Sequence, residues 1–257
     1  MTSSKHYVYL SGCNGQLGNA IASSLRASGC YVIGIDLHRE SSNAHLDSYV
    51  EASVTDTKSI DEAFLRPCEG IETASSISLI NNAGIAVFSP CEDRTYDEFK
   101  QVFDVNVWGC INMLNSFVRH FEIKPFADCH NAIRNLSIVN ISSIYSLITP
   151  NPLIYKDTPR NSSEIYGASK AAINQLTKYW SARYAKSGMR VNAICPGGVF
   201  NDKHQGPKFL EAYSDLVPAG RLCFDSEVAN LVRYLCLDAP PYLTGQIFSL
   251  DGGMTTW

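Results

Sequence analysis

An α/β domain built on one doubly wound parallel sheet, with helices on both faces, is the fold this sequence predicts, and three observations predict it. Short apolar runs rich in β-branched residues alternate with helical stretches from residue 6 to residue 250. The first run passes through a glycine-rich turn straight into a helical pattern. No repeat, charge block or low-complexity linker breaks the alternation, so the 257 residues with 45% apolar content are expected to fold as one domain, 1–257, around one substantial core.

The elements follow in order. Tyr7-Val-Tyr-Leu10 reads as a strand and leads into Ser11-Gly-Cys-Asn-Gly-Gln-Leu-Gly18, after which Ile21 and Leu25 recur at helical spacing with Ala20 and Ala22 beside them. Gly12, Gly15 and Gly18 let the chain turn tightly, approach a diphosphate closely and pack helix on strand. Asn14, Gln16 and Leu17 complete a turn whose free N–H groups face phosphates. A tight βα turn with no ligand is the alternative. Cys30-Tyr-Val-Ile-Gly-Ile35 ends in Asp36, eighteen residues beyond Gly18, near where a dinucleotide fold keeps its ribose-binding acid. A carboxylate there accepts both ribose hydroxyls and repels a 2′-phosphate, which favours NAD over NADP. His38 and Arg39 follow and offset part of that repulsion.

Strands are then predicted at Ile77 to Ile80, Ser137 to Ile141, Val191 to Ile194 and Ile247 to Leu250, with helices near Tyr96 to Phe121 and Tyr166 to Lys186 between the later ones. In the second of these helices, Tyr166-Gly-Ala-Ser-Lys170 puts a phenol and an ammonium on one face. A free tyrosine titrates near pH ~10, so proton transfer near neutrality needs a shift of about 3 units, or about 4 kcal/mol. A cation about 4 Å away at an effective dielectric of about 20 supplies roughly that much. The spacing thus makes a general acid/base from an ordinary phenol. Tyr96 and Lys100 share it but stand without companion motifs, and read as a solvated helix face.

Around Tyr166 and Lys170 the chain carries, in order, the glycine turn, Asn81-Asn-Ala-Gly84, Asn106 in Val105-Asn-Val-Trp-Gly109, Ser143 after Ile138-Val-Asn-Ile-Ser, Pro196-Gly197 and Asp251-Gly-Gly253. This set resembles the short-chain dehydrogenase/reductase family over nearly the whole length. The resemblance implies a Rossmann-type fold and an NAD-dependent oxidoreductase in which Tyr166 exchanges a proton with the substrate oxygen. Lys170 would lower the Tyr166 pKa and hold the nicotinamide ribose, Ser143 would bond the substrate oxygen, and Asn106 would anchor a proton-relaying water chain. Val54, Asn82, Ala83, Gly84, Pro196, Gly197, Val199 and Asn201 join the glycine turn as cofactor contacts. The helices bearing Asn106 and Tyr166 would form a homo-oligomer interface, giving a tetramer or dimer. The aromatics Tyr179, Trp180 and Tyr184 serve either that interface or the core.

Four departures stand out. The turn is Gly-x2-Gly-x2-Gly, whereas most short members have Gly-x3-Gly-x-Gly. Ser53 replaces an adenine-contacting aspartate. Asn201 replaces a threonine that follows the Pro-Gly pair, which turns it toward the nicotinamide carboxamide. Ser143 and Tyr166 lie 23 residues apart, about ten more than is usual, and the added segment, near 148–161, is rich in proline and asparagine and reads as a loop walling the site. That segment resembles a subset associated with bacterial surface-sugar and flagellin modification. Tyr155, Lys156, Arg160 and Asn161 are then candidates for gripping a sugar or sugar phosphate. A second loop near 199–217, with Lys203, His204 and Lys208, reads as a substrate loop suited to an anion.

A net charge of −4 and a pI near 5.9 leave no basic footprint for nucleic acid. No run of about 18 apolar residues suggests a membrane span, and no signal-peptide pattern is present, so a cytoplasmic location is expected. The nine cysteines show no metal-ligand spacing and read as small core residues, with no metal expected. Other readings stay open: an NADP-dependent ketone or 3-oxoacyl reductase, a sugar-nucleotide epimerase or dehydratase, and a catalytically silent dinucleotide-binding regulator.

Overall fold

The computed structural model describes residues 5–38, 44–66, 68–71, 74, 76–126, 135–155, 162–203 and 205–256. Seven strands, β1 (His6–Ser11), β2 (Tyr31–Asp36), β3 (Ser48–Glu51), β4 (Ser76–Asn81), β5 (Asn135–Ile141), β6 (Met189–Pro196) and β7 (Ile247–Leu250), form one sheet in the order β3-β2-β1-β4-β5-β6-β7. Every pairing is parallel. Among the described residues seven α-helices accompany them: α1 (Gln16–Ala27), α2 (Thr57–Leu65), α3 (Tyr96–Phe103), α4 (Gly109–His120), α5 (Glu164–Tyr184), α6 (Pro207–Ser214) and α7 (Asp225–Leu237).

Strand alternation assigns the two faces. Tyr7 and Tyr9 of β1 point into a core with Phe64 of α2, Met113 and Phe117 of α4, and Ile173 and Trp180 of α5. Val8 and Leu10 point the other way, onto Ile21 and Leu25 of α1 and Val228, Val232 and Leu235 of α7. Both faces are therefore covered, which is why the strands read as continuous apolar runs. A third, smaller core joins Ile144, Ile154, Tyr213, Val217, Leu222 and Met254 beyond the ends of β5 and β6. The chain winds outward from β1 in one direction and from β4 in the other, so a crevice opens beyond their carboxyl ends.

The helix expected over Tyr96 to Phe121 is two helices. A π-turn, Asp104–Trp108, separates α3 from α4 and carries Asn106; its extra residue re-aims that side chain inward. Lys100 pairs with Asp104 at 2.6 Å while Tyr96 is exposed, so that pair does lie on a solvated face. Trp180 and Tyr184 are buried in the core and Tyr179 is exposed. The 199–217 stretch is more than a loop, since it contains α6, with Pro207 at the helix start.

His6 at the start of β1 bonds Ser78 Oγ at 2.8 Å through Nε2 and Ser76 Oγ at 2.6 Å through Nδ1. Burial, reinforced by the Arg190 charge, lowers its pKa to about 4. The unfolded chain then binds a proton near pH ~6.5 that the folded chain refuses until about 4, so stability falls as pH drops through this window. The expected loss from this group is about 2 kcal/mol between pH ~6.5 and ~4.5. Thermal melts across that range check it, and His6→Asn should flatten the slope.

Candidate active site

A cavity of about 880 Å³ occupies the crevice. At one end the turn after β1 bends through Gly12 at φ +65°, where a Cβ would meet Ala83 Cα at 2.8 Å. Gly15 caps α1 without a side-chain hydrogen bond, and a Cβ there would meet only Gly12 O, at 3.5 Å. An open glycine beside an uncapped helix start is an anion-receiving arrangement. Gly18 does a different job: it is buried, and a Cβ would sit 2.1 Å from Gly12 O, so it sets the closeness of α1 to the turn. Gly12, Gly15, Gln16, Leu17, Asp36, Val54, Asn82, Ala83, Gly84, Pro196, Gly197 and Val199 all line the cavity, as does Ser53.

Three expected cofactor contacts do not line it: Gly18, which packs against the turn, Asn14 and Asn201. Asn14 donates its backbone N–H to Asp36 Oδ2 at 2.9 Å and its side-chain amide to His38 O, so it ties the turn to the end of β2. Asn201 faces Gln16 rather than the interior: its Nδ2 donates to Gln16 Oε1 at 2.8 Å. Asp36 also accepts from Leu37 N at 2.8 Å, which fixes the carboxylate at the cavity edge. Arg39 lies outside the described residues.

At the other end, Ser143 follows β5 in extended backbone, and Tyr166 and Lys170 project from the first turns of α5, whose start is capped by Ser163. All three line the cavity. Burial raises the Tyr166 pKa, and a hydrogen bond with Ser143 offsets part of that. Lys170 Nζ lies 5.7 Å from the Tyr166 ring centre and donates to Ile141 O at 2.8 Å, and burial pulls its own pKa down to about 8. Asn106 sits behind this group, buried, with Oδ1 accepting from Ile85 N at 2.8 Å and Nδ2 donating to Ser169 Oγ at 2.9 Å. Asn106 and Lys170 share a void of about 10 Å³ with Asn81, the size of one water.

Five aromatic side chains also line the cavity. Tyr145 and Tyr155, joined hydroxyl to hydroxyl at 2.7 Å, stand with Phe88, Phe209 and Tyr213 around the mouth. Phe209 packs at a tilt against Tyr155 and Tyr213, with ring centres 5.9 and 5.6 Å apart. Tyr155 was expected here. Phe209 and Tyr213 were not, although their spacing on α6 is the signal that finds them. Lys203 and Lys208 are exposed and do not line the cavity. Lys156, Arg160, Asn161 and His204 lie outside the described residues.

The eight described cysteines are free thiols, and burial pushes Cys13, in the glycine turn, to about 12. Among the described residues no group of three or more His, Cys, Asp or Glu side chains is placed to hold a metal. No described helix is long and apolar enough to cross a membrane.

Comparison with known proteins agrees with this geometry. The family profile described as "Enoyl-(Acyl carrier protein) reductase" matches residues 14–255. Galactitol 2-dehydrogenase (L-tagatose-forming) of Cereibacter sphaeroides is 30% identical over 96% of this chain and 94% of its own. A tropinone reductase homolog of Arabidopsis thaliana is 30% identical over 93% and 88%. A short-chain dehydrogenase of Leptospira borgpetersenii, solved with bound NAD+, superposes with a TM-score of 0.84 at 31% identity, covering 98% of this chain and 93% of that one. With its seven-stranded parallel sheet, glycine turn and family-wide match, this chain belongs to the short-chain dehydrogenase/reductase family of nicotinamide-dependent oxidoreductases.

Proposed function

We propose that this chain is an NAD(H)-dependent oxidoreductase acting on a hydroxyl or keto group of a sugar or sugar derivative, with Tyr166 as general acid/base. The observation that carries this reading is one continuous cavity with an anion-receiving turn and Asp36 at one end and Ser143, Tyr166 and Lys170 at the other. The open face of Gly15 and the uncapped start of α1 fit a diphosphate, and Asp36 fits a ribose diol. When bound, the nicotinamide supplies the hydride donor or acceptor.

The residues do the rest. Tyr166 Oη gives its proton to the substrate oxygen in reduction and takes one in oxidation, and burial, by keeping the phenol protonated, readies it as an acid. Ser143 shares that hydrogen bond and orients the oxygen. Lys170, with Asn106 behind it, supplies the route by which the phenol is reprotonated. The aromatic wall suits the apolar face of a sugar ring while its hydroxyls meet the ring's own. The galactitol 2-dehydrogenase relative supports a sugar, the NAD+-bound Leptospira structure supports NAD, and the resemblance of the 148–161 segment to surface-sugar and flagellin-modifying members adds to the first. The same reading has the chain working as one catalytic domain, in the cytoplasm, as a homodimer or homotetramer.

Titration with NADH and then NADPH, followed by fluorescence, tests the cofactor half. Absorbance assays with NAD and galactitol, glucose or simple alicyclic alcohols test the other. NADH binding with a polyol-dependent signal supports both halves. Preference for NADPH overturns the first, and turnover of alicyclic ketones without polyols overturns the second. Asp36→Ala should weaken NADH and tighten NADPH, moving the ratio of their Kd values by about tenfold or more, equivalent to ~1.4 kcal/mol; an unchanged ratio would remove Asp36 from cofactor choice.

A further inference from the structure

Two departures from the family pattern, the glycine spacing and Asn201, meet in space. Because the middle glycine is Gly15, position 16 is free to carry a side chain, and Gln16 uses it to reach across to the segment after β6. Gln16 Nε2 donates to Phe200 O at 2.7 Å, and Asn201 Nδ2 donates to Gln16 Oε1 at 2.8 Å. Both ends of one amide are engaged, 184 and 185 residues away in sequence. The far side of the bridge is itself built. Asn201 N donates to Gln205 Oε1 at 2.8 Å, Gln205 Nε2 donates to Val199 O at 2.8 Å, and Asn201 Oδ1 accepts from Lys203 N at 3.0 Å. On its outer edge, Phe200 N donates to Cys223 O at 2.8 Å.

Position gives the bridge its meaning. Gln16 opens α1 at the anion-receiving turn, while Val199, Gln205, Gly206 and Phe209 also line the cavity. We propose that Gln16 and Asn201 form an amide clasp that locks the turn receiving the cofactor diphosphate to the segment walling the substrate end, so that this segment closes over bound cofactor and slows its release. Gln16 and Asn201 act as positioning residues. The inference rests on the dinucleotide reading of the cavity, but its geometry does not depend on which dinucleotide binds.

The test is a double-mutant cycle on Gln16→Ala and Asn201→Ala, read two ways. Stopped-flow displacement measures the dissociation rate of NADH, or of NADPH if the wild-type protein prefers it. Amide hydrogen exchange over residues 199–203 is measured on the protein alone. Each single variant should speed dissociation about fivefold, the worth of one or two exposed hydrogen bonds. Exchange at 199–203 should rise in both variants, and the double variant should fall short of the sum of the single ones, because both remove the Asn201 Nδ2–Gln16 Oε1 bond. Additive effects, or faster release with unchanged exchange, would overturn the clasp. If neither cofactor binds the wild-type protein, the functional reading fails by itself, and the exchange arm still decides whether the clasp exists: unchanged exchange overturns it.

Discussion

Tyr166→Phe is expected to lower kcat by at least about 10³-fold while leaving the Kd for NADH within about twofold of wild type, because only the proton-transferring oxygen is lost. The ring keeps its seat in the wall, and the anion-receiving turn and Asp36 are untouched. The separation of the two readouts is what gives the experiment its force. A general fold defect lowers both, whereas loss of an acid/base lowers turnover alone. Ser143→Ala should fall less, about 10²-fold, since it removes an orienting hydrogen bond rather than the proton itself. Steady-state kinetics with the best polyol, paired with fluorescence titration, checks both variants. Near-normal turnover in Tyr166→Phe would mean that the chemistry does not run through this phenol.

Gly18→Ala is expected to cost about 3 kcal/mol of stability, at the upper end for inserting one methyl into a packed site. The added Cβ falls 2.1 Å from Gly12 O and 2.8 Å from Cys13 Cα, and both obstacles are backbone, so no rotamer change relieves them. Helix α1 has to lift from the turn, which also spoils the alignment of its first N–H groups. For a chain of this size, the melting temperature should drop by about 6–12 °C, with a parallel loss of dinucleotide affinity. Gly15→Ala separates the two effects. Its Cβ meets no protein atom closer than 3.5 Å, so stability should hold while affinity falls. Equal losses in both variants would assign Gly15 to packing instead.

The parts of the fold most legible in the sequence were those with a burial pattern of their own. β1, β2, β4, β5 and β6 are almost wholly buried stretches whose apolar runs name them, β7 is a half-buried edge strand named by Ile247, Phe248 and Leu250, and parallel pairing follows from the helices between them. β3 escaped because it is a four-residue edge strand in which only Val50 is buried. Helix α7 carries Val228, Val232 and Leu235 at helical spacing and was findable by periodicity. The π-turn at Asn106 was not, since nothing in Asp104 to Trp108 breaks a helix. The cavity residues were named largely from ordered motifs, yet motifs describe neighbours in sequence. That Asn201 turns to Gln16, that Lys170 is held by Ile141 O, and that Phe209 and Tyr213 complete the wall are consequences of chain segments meeting in space, which no spacing rule encodes.

The third core has an evolutionary consequence. Ile144, Ile154, Tyr213, Val217, Leu222 and Met254 pack with one another and support the aromatic mouth, while the two cores that hold the sheet together lie elsewhere. Mutational drift in this satellite therefore reshapes what the mouth admits without drawing on the stability of the scaffold that carries the nucleotide end. Substrate choice in such a fold is therefore expected to shift by repacking a few side chains of this satellite.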